Sequence, residues 1–239
     1  VRTVWRKDDI KEENMPQEIK TIVLSLPFKL GSVNCYLVET GTGFVLIDTG
    51  GPNKRSELEI GLLGAGCKPG NLKLIALTHG DFDHIGNAAY LREKLGARIA
   101  MHKDDSGMAE HGDMFWNRKS GSALIRMMAP ILFRFGKSNR FEPDLYLEDG
   151  YAFSEYGFDA TVLSIPGHSK GSIGILTAGG DLLCGDLFDN TNTPVLNSIM
   201  DDLAAADASV EKLRGHAINT VYPGHGRPFL MEQFMKRNR

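Results

Sequence analysis

The stretch "LIALTHGDFDHIGNAAYL", Leu74 to Leu91, constrains this chain more than any other. A wholly apolar run gives out into His79, Asp81, Asp83 and His84, and Ala88, Leu91 and Leu95 then recur at helical spacing as far as Gly96. The cluster therefore falls in the loop between a buried strand and a helix. In open α/β sheets, loops at the carboxyl ends of strands commonly hold ligand sites. Side chains two apart in extended backbone point the same way, so His79 and Asp81 can face one ion. Adjacent Asp83 and His84 diverge and can serve two.

Three further groups fall in the same kind of place. "ATVLSI" leads into "PGHSKG", which puts His168 after a strand, and "AINTVY" leads into "PGHGRP", which does the same for His225. "SIGILTA-GG-DLLCGD" reads as a hairpin around Gly179-Gly180 whose nearly equal arms return Asp186, at the end of its strand, to the edge that His168 has just left. Any one of these residues alone reads as a turn residue or cap; their joint occurrence at strand ends points to a site. Seven nitrogen and oxygen ligands exceed what one tetrahedral zinc needs and suit two ions sharing a bridging carboxylate. Asp48 ends the second arm of the hairpin "NCYLVET-GTG-FVLIDTG" and is open to two roles, a turn cap or the orientation of a ligand histidine by hydrogen bonding. His102, His111 and His216 lack such context and are expected to be structural or solvent-exposed.

Elsewhere "SELEIGLLGAG" has helical spacing, "LKLIAL" and "ARIAMH" read as strands, and a helix is expected from about residue 201 to 215. Strands, hairpins and helices intermix, which suggests a mixed sheet architecture with helices outside. Residues 103–150 break the rhythm and look like an insertion, and residues 1–18 form a charged arm ahead of one domain over 19–239. Three scattered cysteines are no disulfide framework and suit a reducing compartment. A net charge of −3 gives no reason to expect nucleic acid as a partner. No run approaches the about 20 apolar residues of a membrane span, and the N-terminus lacks the apolar stretch of a signal peptide, so a cytoplasmic location is expected.

"THGDFDH", "IPGHSKGS", "LLCGDLF" and "VYPGHG", with "VLIDTG" upstream, resemble the ordered motifs of the metallo-β-lactamase superfamily over roughly residues 20–230. The resemblance implies an α/β (α+β) fold, an αββα four-layer sandwich of two mixed β-sheets with helices outside, carrying a dinuclear metal site at one sheet edge. It implies that His79 and His168 bind the first metal, with Asp81 in the position of the family's usual second histidine. Asp83, His84 and His225 would bind the second, and Asp186 would bridge. Most hydrolytic members carry histidine where this chain has Asp81. A carboxylate is harder than an imidazole, so two divalent ions are expected with appreciable iron or manganese, and zinc as the close alternative.

The expected activity is metal-dependent hydrolysis of a small-molecule ester, thioester, lactone or phosphoester by a metal-bridging hydroxide, with Asp83 assisting proton movement. The alternatives are an iron-dependent redox or oxygen-handling protein and a non-catalytic binding protein. Little chain follows His225, so a stand-alone hydrolase is expected, without the helical C-terminal domain of glyoxalase II. Substrate-binding residues are not identifiable. The stretch "RKSGSALIRMMAPILFRFGKSNR", Arg118 to Arg140, holds six basic residues and no acidic ones. If helical it carries Lys119, Arg126, Arg134 and Lys137 as a loose basic stripe, with Pro130 expected to kink or interrupt it. Two readings stay open: an insert packing its apolar face on the domain, or an apolar lid, homodimer contact or membrane-surface patch.

Overall fold

A computed structural model describes residues 17–27, 31–118 and 123–237. The first sheet is ordered β1-β2-β3-β4-β5-β6, from β1 (Ile19–Ser25), β2 (Ser32–Thr40), β3 (Gly43–Ile47), β4 (Leu72–Ala76), β5 (Arg98–Met101) and β6 (Leu145–Tyr146). Its first three strands pair antiparallel and the rest parallel. The second sheet runs β12-β11-β9-β8-β7, from β7 (Ala160–Ser164), β8 (Ile173–Thr177), β9 (Asp181–Asn190), β11 (Thr220–Gly226) and β12 (Phe229–Leu230), with β10 (Val195–Leu196) paired to β9. Only β9 and β11 pair parallel there.

Three apolar layers separate four structural layers. Along β2 the side chains alternate as a two-residue period requires. Leu37 joins Leu46, Ile75 and Ile99 in a layer with Leu58 and Leu62 of α1 (Arg55–Gly64) and Leu91 and Leu95 of α3 (Ala88–Leu95). Tyr36 and Val38 point the other way, to Val162, Ile175 and Leu183 between the sheets. Leu182, Leu187 and Val221 form the third layer with Leu213 of α6 (Leu203–Arg214) and Phe234 of α7 (Met231–Arg237). Each fully buried residue of this size contributes about 1.5–3 kcal/mol relative to exposure. The fold is the expected αββα sandwich.

Several local expectations differ from what forms. The strand carrying Asp186 does not end there; β9 runs on to Asn190, because beyond Leu183, where β8 pairing stops, β11 and then β10 still pair with it. The last long strand starts at Thr220 rather than at the alanine of "AINTVY". The region 103–150 contains α4 (Lys103–His111) and α5 (Ala123–Leu132), and its end returns to the first sheet as β6. Pro130 does not interrupt α5. It sits in the last turn, where the helix stops two residues later and Arg134 turns to φ +56°. Lys119 and the bulk of the proposed N-terminal arm lie outside the described residues. Cys35, Cys67 and Cys184 are buried free thiols. No helix among the described residues is long and apolar enough to cross a membrane.

Candidate metal centre

Four histidines meet at one edge of the sandwich, and each is tied at Nδ1. His84 lies on the four-residue helix α2 (Phe82–Ile85), and its Nδ1–H donates to Asp48 Oδ2 at 2.8 Å. The Nδ1–H of His225, within β11, donates to the Ser32 carbonyl oxygen at 2.7 Å. That of His168 donates to the Ile199 carbonyl oxygen, also at 2.7 Å. His79 Nδ1 lies 3.0 Å from Thr78 Oγ1, whose hydroxyl donates to Asp48 Oδ2, leaving its oxygen to accept from the ring. Carbonyls and carboxylates only accept, so the partners fix the tautomer and direct each Nε2 inward.

The ligand atoms of His79, His168 and Asp186 lie within 4.8 Å of one another, and so do those of Asp83, His84 and His225. Asp186 stands between the groups, its Oδ2 3.2 Å from His225 Nε2 and 4.0 Å from His168 Nε2, its Oδ1 3.4 Å from His84 Nε2. Asp81 lies beside the first group, with Oδ2 3.0 Å from His168 Nε2 and 3.8 Å from His79 Nε2. It occupies the N-cap position of α2, yet its side chain makes no capping bond. His79 Nε2 and Asp186 Oδ1 are buried without a hydrogen-bond partner, a costly state that a bound cation relieves. The donor set, imidazole nitrogens with carboxylate oxygens, fits two first-row divalent ions.

The protonation balance reflects crowding of like groups in a dry place. Burial pushes the His79 imidazole well below its usual value, and neighbouring His84 and His168 push it further. Burial acts the same way on His84 and His225, but Asp186 leads the carboxylates that overcome it and raise them to about 10 and about 9. Burial would raise Asp186, yet His225 and His84 hold it well below the carboxylate range. Asp83 moves the other way, raised chiefly by burial.

Two close approaches require glycine. A Cβ on Gly224 would collide with Asp186 Oδ1 and come within 2.7 Å of His84 Cε1. Gly185 has φ +51°, and a Cβ there would sit 2.5 Å from Thr78 Oγ1.

The edge therefore gathers His79, Asp81, Asp83, His84, His168, Asp186 and His225, and of the two roles open to Asp48 it makes the histidine-orienting bond. Two supporting residues escaped the sequence reading. Asp105 of α4 is fully buried and accepts from Gly80 N at 2.9 Å, Gly171 N at 2.8 Å and the Ser169 hydroxyl at 2.6 Å, binding the His79 loop to the His168 loop. Nothing in "HKDDSG" distinguishes it from a helix-start aspartate. Arg118 places Nη2 2.8 Å from Asp81 Oδ1 and Nε 2.9 Å from Asp201 Oδ2. Its only sequence signal is the surplus carboxylate at position 81. His102 serves as the N-cap of α4, His111 packs against Trp116 with the two rings tilted by 39°, and His216 is exposed.

A family model for the metallo-beta-lactamase superfamily matches residues 29–225. The chain belongs to that superfamily. This superfamily member is 26% identical over 223 residues to hydroxyacylglutathione hydrolase GloC of Haemophilus influenzae, covering 86% of this chain and 96% of that protein. It is 28% identical over 225 residues to acyl-coenzyme A thioesterase MBLAC2 of Bos taurus, covering 85% and 76%. It spans 64% of the length of the human metallo-beta-lactamase domain-containing protein 1, at 28% identity. A crystal structure of TTHA1623 in a di-iron-bound form superposes with TM-score 0.66 and 28% identity, covering 84% of this chain and 91% of that one. The relatives named as enzymes are hydrolases.

Proposed function

We propose that this metallo-beta-lactamase superfamily member is a dinuclear metal-dependent hydrolase of a small ester, thioester, lactone or phosphoester. The observation that carries the reading is the convergence of four Nδ1-anchored histidines on Asp186 and Asp83 in two adjacent groups, with Asp81 beside the first. His79, His168 and Asp186, with Asp81 beside them, would hold one ion; Asp83, His84 and His225 would hold the other, with Asp186 shared. Two divalent ions would supply Lewis acidity and a water acidified toward neutral pH.

The chain's own residues do the rest. Anchored histidines keep their Nε2 atoms in place without reorganisation, and burial of His79, His84 and His168 keeps bulk water from their rings. Asp83, whose Oδ2 faces His84 and His225, would assist proton movement toward the leaving group while remaining a ligand. Thioesters come first among the four classes because GloC and MBLAC2 are named for glutathione- and coenzyme A-linked acyl substrates. The di-iron neighbour bears on metal choice and supports iron as one occupant.

Purified protein reconstituted with zinc, iron or manganese should be screened against all four substrate classes. Turnover of at least one, abolished by chelation, is expected. Absence of turnover with all four, at two bound equivalents of metal, overturns the proposal.

A further inference from the structure

Three histidines of the site owe their orientation to a partner on another segment, and His79 owes its own to the neighbouring Thr78. Asp81 has such a partner too, and it is Arg118. The guanidinium lies between two carboxylates, Nη2 2.8 Å from Asp81 Oδ1 and Nε 2.9 Å from Asp201 Oδ2, with its side chain only 5% exposed. Asp201 is more open to water, at 21%. The contacts are ion pairs rather than aligned hydrogen bonds. With Oδ1 held by Arg118, Asp81 turns Oδ2 toward His168 Nε2 and His79 Nε2. The alternative use of this carboxylate, capping α2 from its N-cap position, is not made. Arg118 is thus the partner that fixes which oxygen faces the site.

Charge leads to the same residue. Three carboxylates among the seven candidate ligands would carry one more negative charge than a site with histidine at position 81, and the buried Arg118 cancels that excess. We infer that Asp81 and Arg118 form a single unit, a carboxylate oriented and charge-compensated by a positioning arginine, which takes the place of a neutral ligand beside His79 and His168. The inference rests on the two-ion reading for its effect on metal, but the couple itself exists in the metal-free chain. A guanidinium that merely ties its segment to the domain would leave metal affinity indifferent to it. One that compensates Asp81 makes substitutions at the two positions depend on each other.

The test is a double-mutant cycle in the full chain with Asp81→His, Arg118→Met and both together. Zinc is titrated against a chromophoric chelator, and thermal midpoints of the metal-free proteins are recorded. Asp81→His leaves the arginine charge facing an imidazole and a cation, and affinity for one zinc equivalent is expected to fall about tenfold or more, with a lower metal-free midpoint. Adding Arg118→Met is expected to restore affinity to within about threefold of wild type and to recover most of the midpoint. Arg118→Met alone leaves a buried carboxylate uncompensated beside the cation, which then orients it in the guanidinium's place, and zinc is expected to bind about tenfold more tightly.

An Asp81→His protein that binds zinc as wild type does overturns the inference, as does a double variant no better than the single. Should Asp81→His fail to fold, Arg118→Met decides: tighter binding supports the couple, and unchanged or weaker binding overturns it. Wild-type stoichiometry tests the two-ion reading separately. A wild type that binds no zinc defeats that reading, while the metal-free midpoints still read the couple.

Discussion

Asp48 sits at φ +59°, a backbone region that aspartate tolerates better than most residues, and two bonds from Thr78 hold it there: the backbone N–H to Oδ1 at 2.8 Å and the hydroxyl to Oδ2 at 2.7 Å. The same Oδ2 accepts from His84 Nδ1. Asp48→Ala removes the acceptor that fixes the His84 ring, and the affinity of the Asp83/His84/His225 group for metal is expected to fall by about 10–100-fold in a competition titration. Gly224→Ala places a methyl group against Asp186 and His84. It should cost about 1–3 kcal/mol in denaturant unfolding and lower the metal content of the purified protein. The pH dependence of the metal-free chain follows from the histidines. His84 and His225 are raised in the folded state, so their contribution is fully present below about 6.5, the unfolded value, and is lost as pH rises through about 9 to 10. Asp186, depressed, contributes above about 4, the unfolded value, and loses that contribution on acidification. His79, buried neutral, adds a further cost below about 6.5. Metal-free thermal midpoints should therefore decline from pH 6.5 to 10, and cation affinity should climb over the same window as imidazolium protons leave. A flat midpoint across that window contradicts these proton assignments.

Among the elements, those built on local signals were legible in the sequence. The β2–β3 hairpin follows its Gly-Thr-Gly turn, and α3 stops on Gly96 in the left-handed conformation at φ +74°. What stayed hidden depends on distant partners. β9 continues past Asp186 because β11 pairs with it, and β6 exists because β5 is there to receive it. Asp105 and Arg118 gain their roles only when the segment after His102 folds back over the His79 and His168 loops. Helix α5 is the element whose surface asks for explanation. Leu124, Ile125, Met127, Met128, Ile131 and Leu132 are all more than 40% exposed, and only Ala129 is buried. Phe133, just beyond it, packs edge-on against Phe82 at 6.4 Å, and Phe135 stacks on the same ring at 4.1 Å. Of the two readings open for this stretch, the core one therefore applies to the phenylalanines and the surface one to the helix. Replacing Met127, Met128 and Leu132 by polar residues is expected to leave the unfolding free energy within about 0.5 kcal/mol of wild type while altering oligomeric state or acyl-substrate preference. Loss of folding would instead place α5 in the core.

At the scale of the whole molecule, the two sheets are held in register where the site lies. Asn34 of β2 donates from Nδ2 to the carbonyl oxygens of Pro223 and Gly226 at 2.9 and 2.8 Å, and the Tyr36 hydroxyl donates to the Pro223 carbonyl oxygen at 2.5 Å. These bonds cross from the first sheet to the segment that carries His225, so ligands from both sheets converge only in the assembled sandwich. Sequence order could place each ligand at a strand end but could not place the strand ends together; the superfamily motifs supplied that juxtaposition, and the hydrogen bonds show what maintains it. Calorimetric titration of zinc into metal-free wild type, His79→Ala and His225→Ala is the most direct measurement of the dinuclear centre. Two equivalents are predicted for wild type and one high-affinity equivalent for each variant; a single equivalent in wild type, or two undiminished equivalents in both variants, would contradict it.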